Sequence, residues 1–163
     1  MKSLRYTVCI AAVFLATATF AESDAQKSFA QLKSLTGSWQ GKNSQDGPVK
    51  ISYRPTAGGS ALLSEIDGNG EDMITMFHLD GNRLLMTHYC AAGNQPRMVA
   101  TVSPDGKTVT FNFLDATNLD SPQSGHMHHV VFTMVDANHH NEEWDFLKDG
   151  KEIRETFNLT RTN

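Results

Sequence analysis

The side chains best suited to chemistry in this chain are its histidines. His126-Met127-His128 sets two imidazoles two residues apart. On a strand that spacing turns both rings to one face, about 7 Å apart along the chain, close enough to share an ion. His88 or Cys90 could supply a third ligand and leave one position open for water, the ligand count of a catalytic zinc site. The metal set read from the sequence is therefore His88, His126 and His128. Other chemistry competes for the same residues. Cys90 could be a nucleophile with His88 as base and Glu65 as orienter, but no oxyanion hole accompanies it. A small, partly buried apolar side chain is the plainer role for Cys90. His88 or His128 could ligate haem, although the chain has no haem-attachment motif. Histidine pairs on strands also serve as a polar rim, so catalysis stays undecided and binding is the favoured reading.

Such residues need elements to bring them together. Phe29, Leu32 and Leu35 recur at helical spacing, and Gly37 ends the run, so one helix is expected over 24–35. Everything later alternates in short runs. Ten strands are expected, at 37–43, 48–56, 60–67, 71–80, 82–91, 95–103, 107–114, 126–136, 141–148 and 151–161. Gly58-Gly59, Asp80-Gly81-Asn82, Pro104-Asp105-Gly106 and Asp149-Gly150 supply the tight turns between them. Only 115–125 reads as a longer loop. A meander of this length hides its edges by closing, which predicts an all-β, ten-stranded, antiparallel up-and-down barrel with a short N-terminal helix. A β-sandwich is the alternative. A barrel of this size can hold a small ligand.

Strand direction then locates a site. With the Trp39 end as the floor, His88 and Cys90 end the fifth strand at the mouth, and Gln95 and Arg97 begin the sixth there. His126 and His128 begin the eighth strand at the same height, and Glu65 and Asp67 end the third. His78, His139 and His140 fall at the floor end, where solvation is expected. Alternation puts His126, His128, Val130, Phe132 and Met134 inside, together with Leu84, Met86, His88 and Cys90. Met98, Ala100 and Val102 read as inward, which turns Arg97 outward unless a bulge intervenes. Val109, Phe111, Phe113, Trp144, Phe146, Ile153 and Phe157 complete the expected apolar interior. Glu142-Glu143 reads as a solvated hairpin edge.

The first strand is entered through Leu35-Thr36-Gly37-Ser38-Trp39-Gln40-Gly41. A short helix followed by Gly-x-Trp resembles the lipocalin and fatty-acid-binding superfamily, the calycins. That resemblance implies an arginine on the last strand that crosses the tryptophan and closes the floor. Arg161, at the end of Phe157-Asn158-Leu159-Thr160-Arg161, stands in that place. Further segments resemble exported lipocalin-like domains of unknown function: Thr87-His88-Tyr89-Cys90, Asn94-Gln95-Pro96-Arg97-Met98, His126-Met127-His128 and Glu143-Trp144. The likeness covers about residues 29–161. It fixes no ligand, because the group shares none, although some of its members bind haem.

The start of the chain fits a secretion signal. Lys2 and Arg5 precede the uncharged apolar run Cys9 to Phe20, and Thr19-Phe20-Ala21 offers small residues for cleavage after Ala21. The run is short for a membrane span. A signal at 1–21, one domain at 22–163 and a periplasmic or extracellular address are expected, with no membrane anchor after cleavage. Removal of Lys2 and Arg5 takes the formal charge from −4 to −6. An acidic chain without a Lys/Arg cluster argues against nucleic acid as a partner. Cys90 is then the one cysteine left, so no internal disulfide can form.

The favoured reading is an exported barrel binding a small, largely apolar molecule. Its polar head would be held by His88, His126 and His128, with Cys90, Gln95, Arg97 and Trp144 beside them. Divalent metal or haem is the cofactor the site could take. A metal-dependent enzyme and a ligand-free structural or interaction module are the alternatives.

Overall fold

The computed structural model describes residues 22–162 apart from Asn69 and Pro122. The expected signal segment lies outside the described residues. Helix α1 (Asp24–Ser34) opens the described chain. Ser23 caps it: its hydroxyl accepts from the Gln26 amide while the Gln26 side chain accepts from the Ser23 amide. Phe29, Leu32 and Leu35 are buried, as their spacing requires.

Ten strands follow: β1 (Gly37–Lys42), β2 (Pro48–Thr56), β3 (Ala61–Gly68), β4 (Glu71–Asp80) and β5 (Arg83–Tyr89), then β6 (Gln95–Val102), β7 (Thr108–Thr117), β8 (His126–Asp136), β9 (His139–Lys148) and β10 (Lys151–Thr162). Each pairs antiparallel with its sequence neighbours, and β1 pairs with β10, so the sheet closes as an up-and-down barrel rather than a sandwich. Closure leaves no strand edge to be managed. Strand β7 runs on to Thr117 and shortens the expected long loop to 118–125.

The floor is built around Trp39. Its indole N–H donates to the Leu35 carbonyl at 2.7 Å, which ties β1 to the end of α1. The Arg161 guanidinium lies 4.2 Å from the Trp39 ring and donates to the carbonyls of Ser34, Thr36 and Ala137. Gly37 is required beside it: φ is +123°, and a Cβ there would stand 3.1 Å from Arg161 Nη1. The structural roles expected of Trp39 and Arg161 thus have a geometric basis.

The interior is solid over most of its height. Leu62, Phe77, Met86, Met98, Val109, Phe111, Val130 and Phe132 have no accessible surface, so no water-sized void touches them. This corrects the expectation that the apolar interior of a barrel of this size leaves room for a small ligand. The aromatic side chains that were to line it instead fill it, Phe77, Phe111 and Phe132 packing at centroid distances of 5.6–5.9 Å. Ile153, expected inside, is 62% exposed, because it pairs with half-buried Phe146 beyond the packed section.

Candidate functional site

Strand β9 carries a buried polar cluster that the sequence reading placed in solvent. His140, Glu142 and Trp144 share the inward face of β9, and all three are buried. The Glu142 carboxyl accepts from His140 Nε2 at 3.0 Å, from Trp144 Nε1 at 2.8 Å and from the Tyr53 hydroxyl of β2. His140 also sets its ring edge-on to Trp39 at 4.3 Å. Burial first, and the Glu142 carboxyl second, push the Tyr53 phenol well above its ordinary value. His140 and Glu142 are therefore interior groups, not a solvated hairpin edge. Their signal was parity: they alternate in step with Trp144, which had been read as inward. His139 stays exposed and bonds Asp136, and half-buried His78 meets the Leu79 carbonyl.

The mouth is assembled from β5, β8, β9 and two connections. His88, on the inward face of β5, is fully buried; its Nδ1 lies 2.9 Å from Thr75 Oγ1 on β4, and its ring packs on Trp144 at 4.9 Å. Nε2 of His88 is buried with no hydrogen-bond partner. Burial lowers the His88 pKa to about 4, which leaves the ring neutral at physiological pH. Asn94, in the β5–β6 turn, faces Cys90 through the Cys90 N–H to Asn94 carbonyl bond. Its side-chain amide donates to the Gly125 carbonyl at 2.8 Å, while Oδ1 is buried without a partner. On the hairpin lattice Asn94 and His88 are inward-facing diagonal neighbours, about 7–8 Å apart.

The loop before β8 is fastened on both sides. Asn94 holds it at Gly125, and the Asp149 amide donates to the Gln123 carbonyl. Gly125 admits the Phe146 ring, since a Cβ would come within 2.5 Å of it. His126 Nδ1 lies 2.8 Å from the Ser124 carbonyl, and its ring packs on Phe113 at 4.6 Å. His128 packs on the same phenyl at 5.9 Å, 6.0 Å from His126, with Nδ1 buried and unpartnered. The pairing of β8 with β9 shifts between Met127 and His129, a bulge of the kind that re-aims side chains beside functional sites.

The residues predicted for one site thus separate. His88 with Trp144, and His126 with His128, form the mouth. Gln95 accepts from Thr117 and Asn118, and Arg97 is committed to Asp115 as an exposed ion pair, where a second register shift falls. Cys90 sits half-buried in the turn after β5. Glu65 is exposed and accepts from Ser52, while His88 bonds Thr75, so the Cys90–His88–Glu65 relay is not assembled. The His88, His126 and His128 metal set is likewise not brought together. Among the described residues no group of three or more His, Cys, Asp or Glu could hold a metal ion. Asn94 is the residue the sequence reading missed at this site. Its parity with inward Met98 was the available signal.

No protein-family model matches the chain, and no curated protein matches it in sequence. Solved structures match its fold. One is a protein of unknown function from the DUF3598 family of Nostoc punctiforme, with a TM-score of 0.56 at 10% identity. That match covers 81% of this chain and 49% of the other, so the chain spans about half the length of that relative. Another is Rv2717c of M. tuberculosis, with a TM-score of 0.57 at 14% identity, covering 83% of this chain and 98% of that one. At such identities the likeness is one of fold, a closed barrel compatible with lipocalin-like architecture.

Proposed function

We propose that the chain is an exported, lipocalin-like barrel that binds a small, largely apolar molecule with a polar head at its mouth. The observation that carries this is the set of polar atoms left without partners at one end: His88 Nε2, Asn94 Oδ1 and His128 Nδ1. A buried polar atom without a partner costs about 1–3 kcal/mol. Three within one region are a standing cost that a hydrogen-bonding guest would remove. The packed interior limits how deep the guest reaches. Its apolar body would lie against Phe113, Phe146 and Trp144, with the head turned toward His88 and Asn94.

Native mass spectrometry of protein purified from its own host tests the reading. A stoichiometric small-molecule adduct, released on denaturation, is the expected result, and a bare polypeptide mass overturns it. An N-terminus at Glu22 in the exported fraction tests the address. The solid core favours a second reading, a ligand-free structural module. It predicts the bare mass, with the polar atoms at the mouth satisfied by ordered water.

A further inference from the structure

The hydrogen-bond directions at the mouth narrow what the head of the guest can be. Asn94 is oriented unambiguously. The Gly125 carbonyl can only accept, so the NH2 end of the Asn94 amide faces it and the oxygen is the end left over. The same logic sets His126. Its Nδ1 faces the Ser124 carbonyl and must carry the proton, which leaves a lone pair on Nε2 in the neutral ring. Two fixed acceptors therefore belong to this end of the barrel.

The two arginines of this region are already paired. Arg97 is paired with Asp115, and Arg154 grips Asp145 through two bonds of 2.7 and 2.8 Å while also meeting Glu143. The Lys148 stem passes Gly125, but the residue is exposed at the rim. Asp145 itself is nearly buried. Its carboxyl is held below the usual range chiefly by Arg154 and next to it by His129 and His128, which places a negative group on the His128 side.

We infer that Asn94 Oδ1 makes the mouth favour a hydrogen-bond-donating head, a primary amide or a hydroxyl, over a carboxylate. A carboxylate is acceptor-only and would set lone pair against lone pair at Asn94 Oδ1, and at His126 Nε2 in the neutral ring. An amide N–H or an alcohol O–H supplies the donor that Asn94 Oδ1 lacks. This inference rests on the ligand-binding reading above.

Benzamide and benzoate differ in the head alone, and benzyl alcohol adds the hydroxyl case. The ¹⁵N-labelled mature chain is titrated with each at one fixed pH, about 8, above the ordinary imidazole range. The side-chain amide of Asn94 and the ring nitrogens of His126 and His88 are followed. Saturable shifts with benzamide and benzyl alcohol, and benzoate weaker by about tenfold or more, are the expected result. Asn94→Leu should abolish the preference. Should that variant fail to fold, the ligand series on the unaltered protein still decides. Benzoate binding as tightly as benzamide overturns the inference while leaving ligand binding intact. No saturable shift with any probe up to its solubility limit overturns both.

Discussion

The floor and the mouth of this barrel treat buried polar groups in opposite ways. At the floor, the Glu142 carboxyl takes donors from Tyr53, His140 and Trp144, and the Trp39 indole is bonded to Leu35. Among the described residues, His140 Nδ1 is the one buried polar side-chain atom at the floor without a hydrogen-bond partner. At the mouth, His88, Asn94 and His128 each keep one buried atom without a partner. Both regions are buried and ringed by aromatic side chains. The difference teaches that hydrophobic surroundings alone do not mark a site. A satisfied buried network stiffens a fold, whereas an unsatisfied one is a cost with no structural return.

The comparison breaks most easily at Glu142. Glu142→Ala removes the acceptor shared by three buried donors and opens a cavity, so it should cost about 3–5 kcal/mol in urea denaturation. A loss below about 1 kcal/mol would show that the floor cluster does not hold the fold. The mouth is probed next through pH. His88 titrates at about 4 in the folded state, against an ordinary value of 6.5. Between those values the unfolded chain binds a proton that the folded chain does not, so stability falls as pH falls and is fully present above 6.5. The loss through this residue is on the order of 3 kcal/mol. It should appear as the difference in acid sensitivity between the wild type and His88→Gln. Parallel curves would mean that His88 is hydrated in solution.

Much of this contrast could be read before any coordinates, and the unread parts have a common cause. Turn residues marked the hairpins, and period-two alternation marked the strands, so ten strands and their closure were legible. Arg161 over Trp39 was what the resemblance to the calycins implied, and the two side chains do meet. Burial of His140 and Glu142 was not inferred, because charge suggests solvent and the partners that neutralise the cost lie far off in the chain. Tyr53 is 89 residues from Glu142. Strand direction put His88, His126, His128, Gln95 and Arg97 at one end, whereas Gln95 is engaged with Thr117 and Asn118 and Arg97 with Asp115. One bulge puts an extra residue into β8 between Met127 and His129, another puts one into β7 opposite Arg97 and Met98, and alternation cannot be counted through a bulge. The filled interior was likewise illegible, since a list of apolar side chains does not say whether they line a space or occupy it.

The finest test of the comparison replaces polar pairs by apolar ones of similar shape. At the floor such a change strands the remaining donors and should destabilise. At the mouth, His88→Leu with Thr75→Val removes one hydrogen-bonded pair together with the unpaired Nε2, and it leaves no new buried polar atom among the groups this pair touches. Replacing both partners in this way is close to neutral in other proteins, and here the cost of the orphaned nitrogen is also relieved. The double variant should therefore lie within about 1 kcal/mol of the wild type, or above it, in the absence of ligand. Benzamide should no longer shift its resonances. Stability retained while binding is lost would separate the purpose of the mouth from that of the floor. A large destabilisation would place His88 in the same structural role as Glu142 and erase the contrast between the two ends.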